Sequence, residues 1–174
     1  MKSPQYLNDN FNSLSLEYFK FIFDQSEKFL SRLVTVSENI TKKAHAILVI
    51  SVSLLTLSLS GVFTLKDSQL IASSVLLCVM SLLVILLLLK PLVSYSLSVP
   101  GTPPNKLIDK DFIVNFSSQE NIVKNLFLTE ILDYQDRIDS NAKQNKQRIH
   151  YVDAAMLLLV AAPFISWLFG IILG

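Results

Sequence analysis

Residues able to carry out chemistry are few in this chain, and their spacing matches no common catalytic or metal-binding pattern. The 174 residues contain two histidines, His45 and His150, and a single cysteine, Cys78. His150 and Asp153 lie one helical turn apart, which suits a pair of metal ligands but more often reflects packing at a membrane edge. The chain lacks a Gly-rich phosphate loop and the HExxH, CxxC and GxSxG motifs. We therefore predict no enzymatic activity, no metal site and no cofactor.

The composition favours a membrane protein. Hydrophobic residues make up 51% of the chain and charged residues 17%, with a net charge of +1. A soluble domain carries about 25% charged residues, and a nucleic-acid-binding domain is usually strongly basic. Three stretches lack Asp, Glu, Lys and Arg, namely 44–65, 68–89 and 154–174. Since a spanning helix needs about 20 apolar residues, we predict an all-α membrane protein with three transmembrane helices rather than a soluble bundle.

Basic residues beside the predicted spans indicate their orientation, because positive charge near span ends stays in the cytoplasm. Only Lys66 and Asp67 separate the first two spans, so these spans should form a tight hairpin. The expected location is a bacterial inner membrane, with the N-terminus in the cytoplasm and the C-terminus at the periplasmic face. The flanking basic residues are Lys42, Lys43, Lys90, Lys143, Lys146 and Arg148.

Two amphipathic helices, over 14–43 and 117–153, are predicted to extend the first and third spans into the cytoplasm as stalks. Neither contains Pro or Gly, so each should be continuous with its span. Their apolar faces fit a stalk that senses a signal and moves the spans, and they fit equally well a coiled coil that only stabilises an oligomer. The expected positions are Leu16, Phe19, Ile22, Phe23, Leu30, Leu33, Val34, Val36 and Ile40, and Val123, Phe127, Ile131, Tyr134, Ile138, Ala142, Asn145, Ile149 and Val152.

The remaining segments are expected to be irregular. Residues 1–13 are predicted to be a flexible N-terminus, and residues 90–116 a cytoplasmic loop that contains Pro100, Pro103 and Pro104. Ser117 and Glu120 have the spacing of a capping box at the start of the second stalk helix.

Small and hydroxyl side chains form stripes in two spans. They indicate either helix contacts, which are favoured, or the lining of a pore. The hydroxyls can bond to carbonyls of their own helix. Because no Asp, Glu, Lys or Arg lies inside a span, a dedicated transporter is disfavoured, and conduction would require oligomerisation. The stripes are Ser53, Thr56, Ser60 and Thr64 in the first span, and Ala162, Ser166 and Gly170 in the third.

Three segments together resemble the Pycsar transmembrane effector family of bacterial anti-phage defence, whose design is similar to that of SLATT and CBASS membrane effectors. These segments are TKKAHAILVISVSLLTL, LLVILLLLKPLVSY and LFLTEILDYQDRIDSNAKQNKQRIHYVDAAMLLL. The resemblance covers roughly residues 38–170 and lies in the architecture more than in an exact motif.

The resemblance implies a function. A nucleotide cyclase encoded nearby would make cyclic CMP or cyclic UMP on infection, and the oligomeric effector would bind it and disrupt the inner membrane, which aborts infection. Lys43, Lys90, Lys143, Lys146 and Arg148 are the candidates to bind the phosphate. The alternatives are a CBASS- or SLATT-like effector with another trigger, and a non-conducting accessory subunit of a membrane complex.

Overall fold

The computed structural model describes residues 4–93, 97–101 and 119–172. Within these ranges the chain contains α-helices and no β-strand, in agreement with the predicted all-α class. Most of the predicted loop over 90–116 and the capping residue Ser117 lie outside the described residues. The helices are α1 (Pro4–Asp9), α2 (Leu16–Thr64), α3 (Ser68–Leu92) and α4 (Gln119–Ile172).

Three of these helices, α2, α3 and α4, are long and apolar enough to cross a membrane. Only 17%, 17% and 22% of their most apolar segments is buried within the chain. Phe63, Leu157 and Ile172 are 84%, 72% and 78% exposed. A soluble helical bundle would bury most such side chains in its core, so this distribution favours a lipid environment.

Helices α2 and α4 are continuous through the points where charged sequence gives way to apolar sequence. Helix α2 has 49 residues and begins after Ser15, whose Oγ accepts a hydrogen bond from the Tyr18 amide at 3.2 Å. The sequence predicts no stop before Ala44, and the helix has none there. Helix α4 has 54 residues and likewise passes Ala154 without a break.

The short helix α1 differs from the flexible segment that the sequence predicts over residues 1–13. Pro4 suits the first position of a helix, where its missing amide hydrogen costs nothing. Leu7 is buried in a cluster that includes Phe19, and the Phe11 ring meets the Phe19 ring edge-on at 5.7 Å. This apolar contact gives the N-terminal residues a place to pack.

The chain divides into two compact units. The first comprises residues 1–36 and 96–143, and the second residues 37–95 and 144–174. In the first unit the core combines aliphatic residues with aromatic contacts, since the Phe23 ring stacks on Tyr134 and meets Phe127 edge-on, each at a centroid distance of 5.3 Å. In the second unit the core is aliphatic and includes Ile40, Ala44, Ile47, Val84, Leu88, Val152 and Ala155.

The buried residues of α2 follow one heptad repeat along its length. From Phe19 to Ser58 every buried residue occupies one of two heptad positions, and the phase does not change between Leu30 and Ser37. In α4 the buried residues from Ile131 to Ser166 show the same regularity. A period of 3.5 residues is typical of helices that pack along a coiled-coil seam.

Within the second unit, small residues allow close helix contacts. A Cβ atom added at Gly61 would lie 2.7 Å from Ser74 Oγ, and one added at Gly170 would clash with Ser73 Oγ. Ala162 and Ser166, which share the predicted stripe of the third span with Gly170, are buried. On this helix the stripe therefore marks a packing surface.

The hydroxyl stripe predicted for the first span lies outside the packing surface of its helix. Ser53, Thr56, Ser60 and Thr64 are exposed, and the hydroxyls of Ser53, Thr56 and Thr64 donate to carbonyls of their own helix at 2.8–3.0 Å, as predicted. Within the apolar part of α2 the buried serines are Ser51 and Ser58, and Ser58 Oγ accepts a hydrogen bond from the thiol of Cys78 at 3.0 Å.

Substitution of Gly170 tests the close contact between α3 and α4. Gly170→Leu places a side chain against Ser73 and the Gln69 carbonyl, which lies 3.3 Å from an added Cβ. We expect a loss of about 1–3 kcal/mol in unfolding free energy, the usual cost of overpacking. Ile171→Leu, at an exposed position of similar depth, should lose almost none. Unfolding in mixed micelles measures both, and equal stability of the two variants would contradict this contact.

Candidate functional site

Arg148 is the centre of a polar junction in the second unit. Its side chain is 4% exposed, and the guanidinium donates to one acceptor on α3 and two on α2. The Nε atom lies 3.1 Å from the Pro91 carbonyl oxygen, Nη2 lies 2.6 Å from Thr41 Oγ1, and Nη1 donates to Ser37 Oγ. We call Arg148, Ser37, Thr41 and Pro91 the arginine junction. It connects three helices through one side chain.

Local sequence explains why these acceptors are free. Pro91 lies in the last turn of α3, where carbonyls have no partner within the helix. Ser37 occupies a buried heptad position of α2, and Thr41 lies one turn further and donates to the Ser37 carbonyl at 3.0 Å. A buried guanidinium requires such acceptors, because leaving a charged donor unpaired costs several kcal/mol.

The seam predicted for the second stalk helix is wrong at two positions. Ala142 and Ile149 are expected to be buried, but both are exposed, and Asn141 and Arg148 lie at the buried positions. Steps of three and four residues from Ile138 lead to Asn141, Asn145, Arg148 and Val152. The prediction followed apolar residue types, whereas hydrogen-bond partners on neighbouring segments allow polar side chains to be buried here.

The candidate phosphate-binding residues have different environments. Lys43, Lys143 and Lys146 are exposed. Lys90 is also exposed at its position, and its Nζ lies 2.6 Å from the Tyr151 hydroxyl and 4.6 Å from the centroid of the Tyr151 ring. Arg148 is buried among protein acceptors. Lys143 belongs to the first unit, whereas Lys43, Lys90, Lys146 and Arg148 belong to the second.

In the first unit, three side chains of α4 bind the segment 97–101. Asn141 pairs with both backbone groups of Ser98, donating to its carbonyl at 2.7 Å and accepting from its amide at 3.1 Å. Arg137 Nη1 donates to the Val99 and Gly101 carbonyls at 3.1 and 3.0 Å. The Tyr134 hydroxyl accepts from the Gly101 amide at 3.1 Å. Gly101 has a φ of +97°, which glycine adopts without strain.

The metal-ligand alternative for His150 and Asp153 gains no support from the geometry. Both side chains are exposed. Within the described residues, no three His, Cys, Asp or Glu side chains are grouped closely enough to hold a metal ion.

Comparison with protein-family models, with curated proteins and with solved structures finds no match for this chain. Inference about its role therefore depends on its own residues.

Removal of the Arg148 guanidinium should destabilise the second unit. Arg148→Met leaves the Pro91 carbonyl and the Ser37 hydroxyl without their donor, and we expect a loss of about 1–3 kcal/mol in unfolding free energy. Lys146→Met removes an exposed charge nearby and serves as the control. Unfolding in mixed micelles compares them. If Arg148→Met were as stable as Lys146→Met, the junction would contribute nothing to stability.

Tyr134 makes the first unit sensitive to alkaline pH. Burial raises the pKa of Tyr134 above its ordinary value of 10.0, and the carboxylates of Glu27 and Glu130 raise it further. Because folding favours the protonated phenol, its contribution to stability is complete below pH 10.0 and is lost as the pH rises toward the higher folded pKa.

We expect Tyr134→Phe to show less alkaline destabilisation than the wild-type chain, measured as hydrogen exchange of residues 97–101 and 119–143. Tyr18→Phe, which alters an exposed tyrosine, should behave like wild type. An identical pH profile for Tyr134→Phe and wild type would exclude this role of Tyr134.

Proposed function

We propose that this protein is a membrane effector of an anti-phage defence system, activated by cyclic CMP or cyclic UMP to disrupt the inner membrane and abort infection. The resemblance to the Pycsar effectors supplies the trigger and the outcome. The observation that supports a mechanical role is the unbroken heptad seam of α2 and α4, which passes from charged to apolar sequence.

The proposed orientation follows the exposed lysines. Lys42 and Lys43 lie before the apolar half of α2, and Lys90 lies in the last turn of α3. Positive residues at these positions favour a cytoplasmic N-terminus. The stalk helices would then face the compartment in which a cyclase releases its product.

Activation requires the ligand to bind one packing of the helices better than another. A continuous helix transmits rotation or axial displacement along its length, so a change in the stalk half of α2 or α4 would alter the spans. The arginine junction lies where charged sequence ends, and its hydrogen bonds would have to rearrange if α2 turned relative to α3 and α4. The geometry of the junction therefore favours two discrete arrangements of these helices over a gradual change from one to the other.

The five basic residues have different roles in this scheme. Arg148 already donates to protein acceptors, so we assign it the junction rather than the ligand. The exposed lysines Lys43, Lys90, Lys143 and Lys146 remain the candidates for phosphate contacts. Membrane disruption would come from an oligomer, because three spans are too few to enclose a wide pore.

A membrane-potential dye in bacterial cells tests the proposal. We expect depolarisation when the protein is co-expressed with an active pyrimidine nucleotide cyclase, and none with an inactive cyclase. Insertion of one alanine after Val36 turns the following part of α2 by about 100° relative to the preceding part, so it should abolish the response. Insertion of one alanine between Asn12 and Ser13, before α2, should preserve it.

Other outcomes identify the alternatives. Depolarisation by an oligonucleotide synthase but not by a pyrimidine cyclase would replace the trigger and keep the effector role. An absence of depolarisation with every cyclic nucleotide, together with a stable heteromeric partner in mild detergent, would indicate an accessory subunit.

A further inference from the structure

One side of α2 in the first unit exposes large apolar side chains. Phe21 is 57% exposed, Phe29 48%, Val36 40% and Tyr18 38%. At 100° per residue all four fall within an arc of about 100°, which differs from the arc that carries the buried seam. Solvated helix faces rarely expose several aromatic rings together, so this side is suited to a contact.

The charges on this side are all positive. Lys28 and Arg32 fall in the same arc, and between residues 16 and 36 it contains no Asp or Glu. Neither side chain has an ion-pair or hydrogen-bond partner among the described residues. They line an open groove of about 410 Å³, whose other lining residues are Pro100 and, outside this arc, Glu27 and Ser31. We call Tyr18, Phe21, Lys28, Phe29, Arg32 and Val36 the basic–aromatic face.

Helix α4 has a complementary face in the same unit. Leu132 is 40% exposed, and Asp136 and Asp139 are exposed beside it. Asp133 shares this arc and pairs with Arg137 on its own helix. Between residues 129 and 140 the arc contains no Lys or Arg. We call Leu132, Asp133, Asp136 and Asp139 the acidic face.

The two faces belong to different surfaces of one chain. In the first unit α2 and α4 pack together through Phe19, Leu128 and Ile131 and through Leu30, Tyr134 and Ile138. Each face lies outside the buried arc of its helix, so one copy presents a basic surface on α2 and an acidic surface on α4. Charge complementarity then fits contact between unlike faces of two copies.

A lipid surface fits the basic–aromatic face less well than the acidic face of a second copy does. Arg32 precedes Ala44 by twelve residues of continuous helix, which corresponds to about 18 Å. That separation exceeds the Debye length of about 8 Å at physiological ionic strength. If the apolar part of α2 spans the bilayer, its headgroups lie too far from Arg32 to neutralise it.

We propose that a second copy of this chain occupies the basic–aromatic face through its acidic face. The contact is head-to-tail, so each copy keeps both faces and further copies can add until a ring closes. Asp136 and Asp139 of one copy pair with Lys28 and Arg32 of the next, while Leu132 packs against Phe29. The contact requires no nucleotide and stands apart from the proposed trigger.

Cross-linking of the full chain in proteoliposomes of zwitterionic lipid tests the contact. Phe29→Cys and Asp136→Cys are placed on separately tagged copies, expressed together and treated with a short bifunctional maleimide. We expect a mixed-tag product, and little product when either variant is present alone. Arg32→Glu in the Phe29→Cys copy should lower the mixed product about tenfold, whereas Lys20→Glu, with the same charge change outside the face, should leave it unchanged.

Every other outcome overturns the proposal. Product from Phe29→Cys alone would indicate a symmetric contact between two α2 helices. Mixed product that forms only after anionic lipid is added would assign the face to the membrane. An absence of product together with a monomeric mass in mild detergent would exclude the contact between two copies. This conclusion would hold whether or not cyclic nucleotides depolarise cells.

Discussion

The hydrogen bonds of one buried arginine are the interaction on which the organisation of the second unit depends. Arg148 lies on α4, yet its acceptors are the end of α3 and two hydroxyls of α2. A guanidinium can satisfy all three because its donors point in fixed, divergent directions. A lysine at this position would offer a single nitrogen, so the sequence around Ser37, Thr41 and Pro91 specifies arginine.

The junction lies where the character of the seam changes. In the first unit the buried positions of α2 and α4 include Phe19, Leu30 and Tyr134. In the second unit they include Ile47 and Val152, and further along the helices they become small, with Ser51 and Ser58 on α2 and Ala162 on α4. Small residues let helices approach closely where no hydrophobic effect drives them together. One heptad phase thus serves packing with large aromatic and aliphatic side chains in the first unit and closer packing with small side chains in part of the second.

Much of the architecture could be predicted from the sequence because long apolar stretches and the absence of Pro and Gly are local signals. The burial of Arg148 and Asn141 could not, since it depends on acceptors from Pro91 and Ser98 that are far away in the chain. The sequence also shows the hydroxyl stripe of the first span, but its periodicity does not indicate which of the hydroxyl side chains are buried against another helix. Ser51 and Ser58 match the heptad phase that begins at Phe19, and Ser53 does not. Helix α1 was missed because its stability comes from the buried Leu7.

Hydrogen–deuterium exchange of the full chain in lipid nanodiscs tests the central claim most directly, that two uninterrupted helices carry one seam from charged to apolar sequence. The informative amides are those of residues 36–48 and 143–156, around the arginine junction. Continuous, slow exchange through both segments is the expected result. A rapidly exchanging stretch in either segment, while the flanking residues stay protected, would show a hinge there and contradict the account.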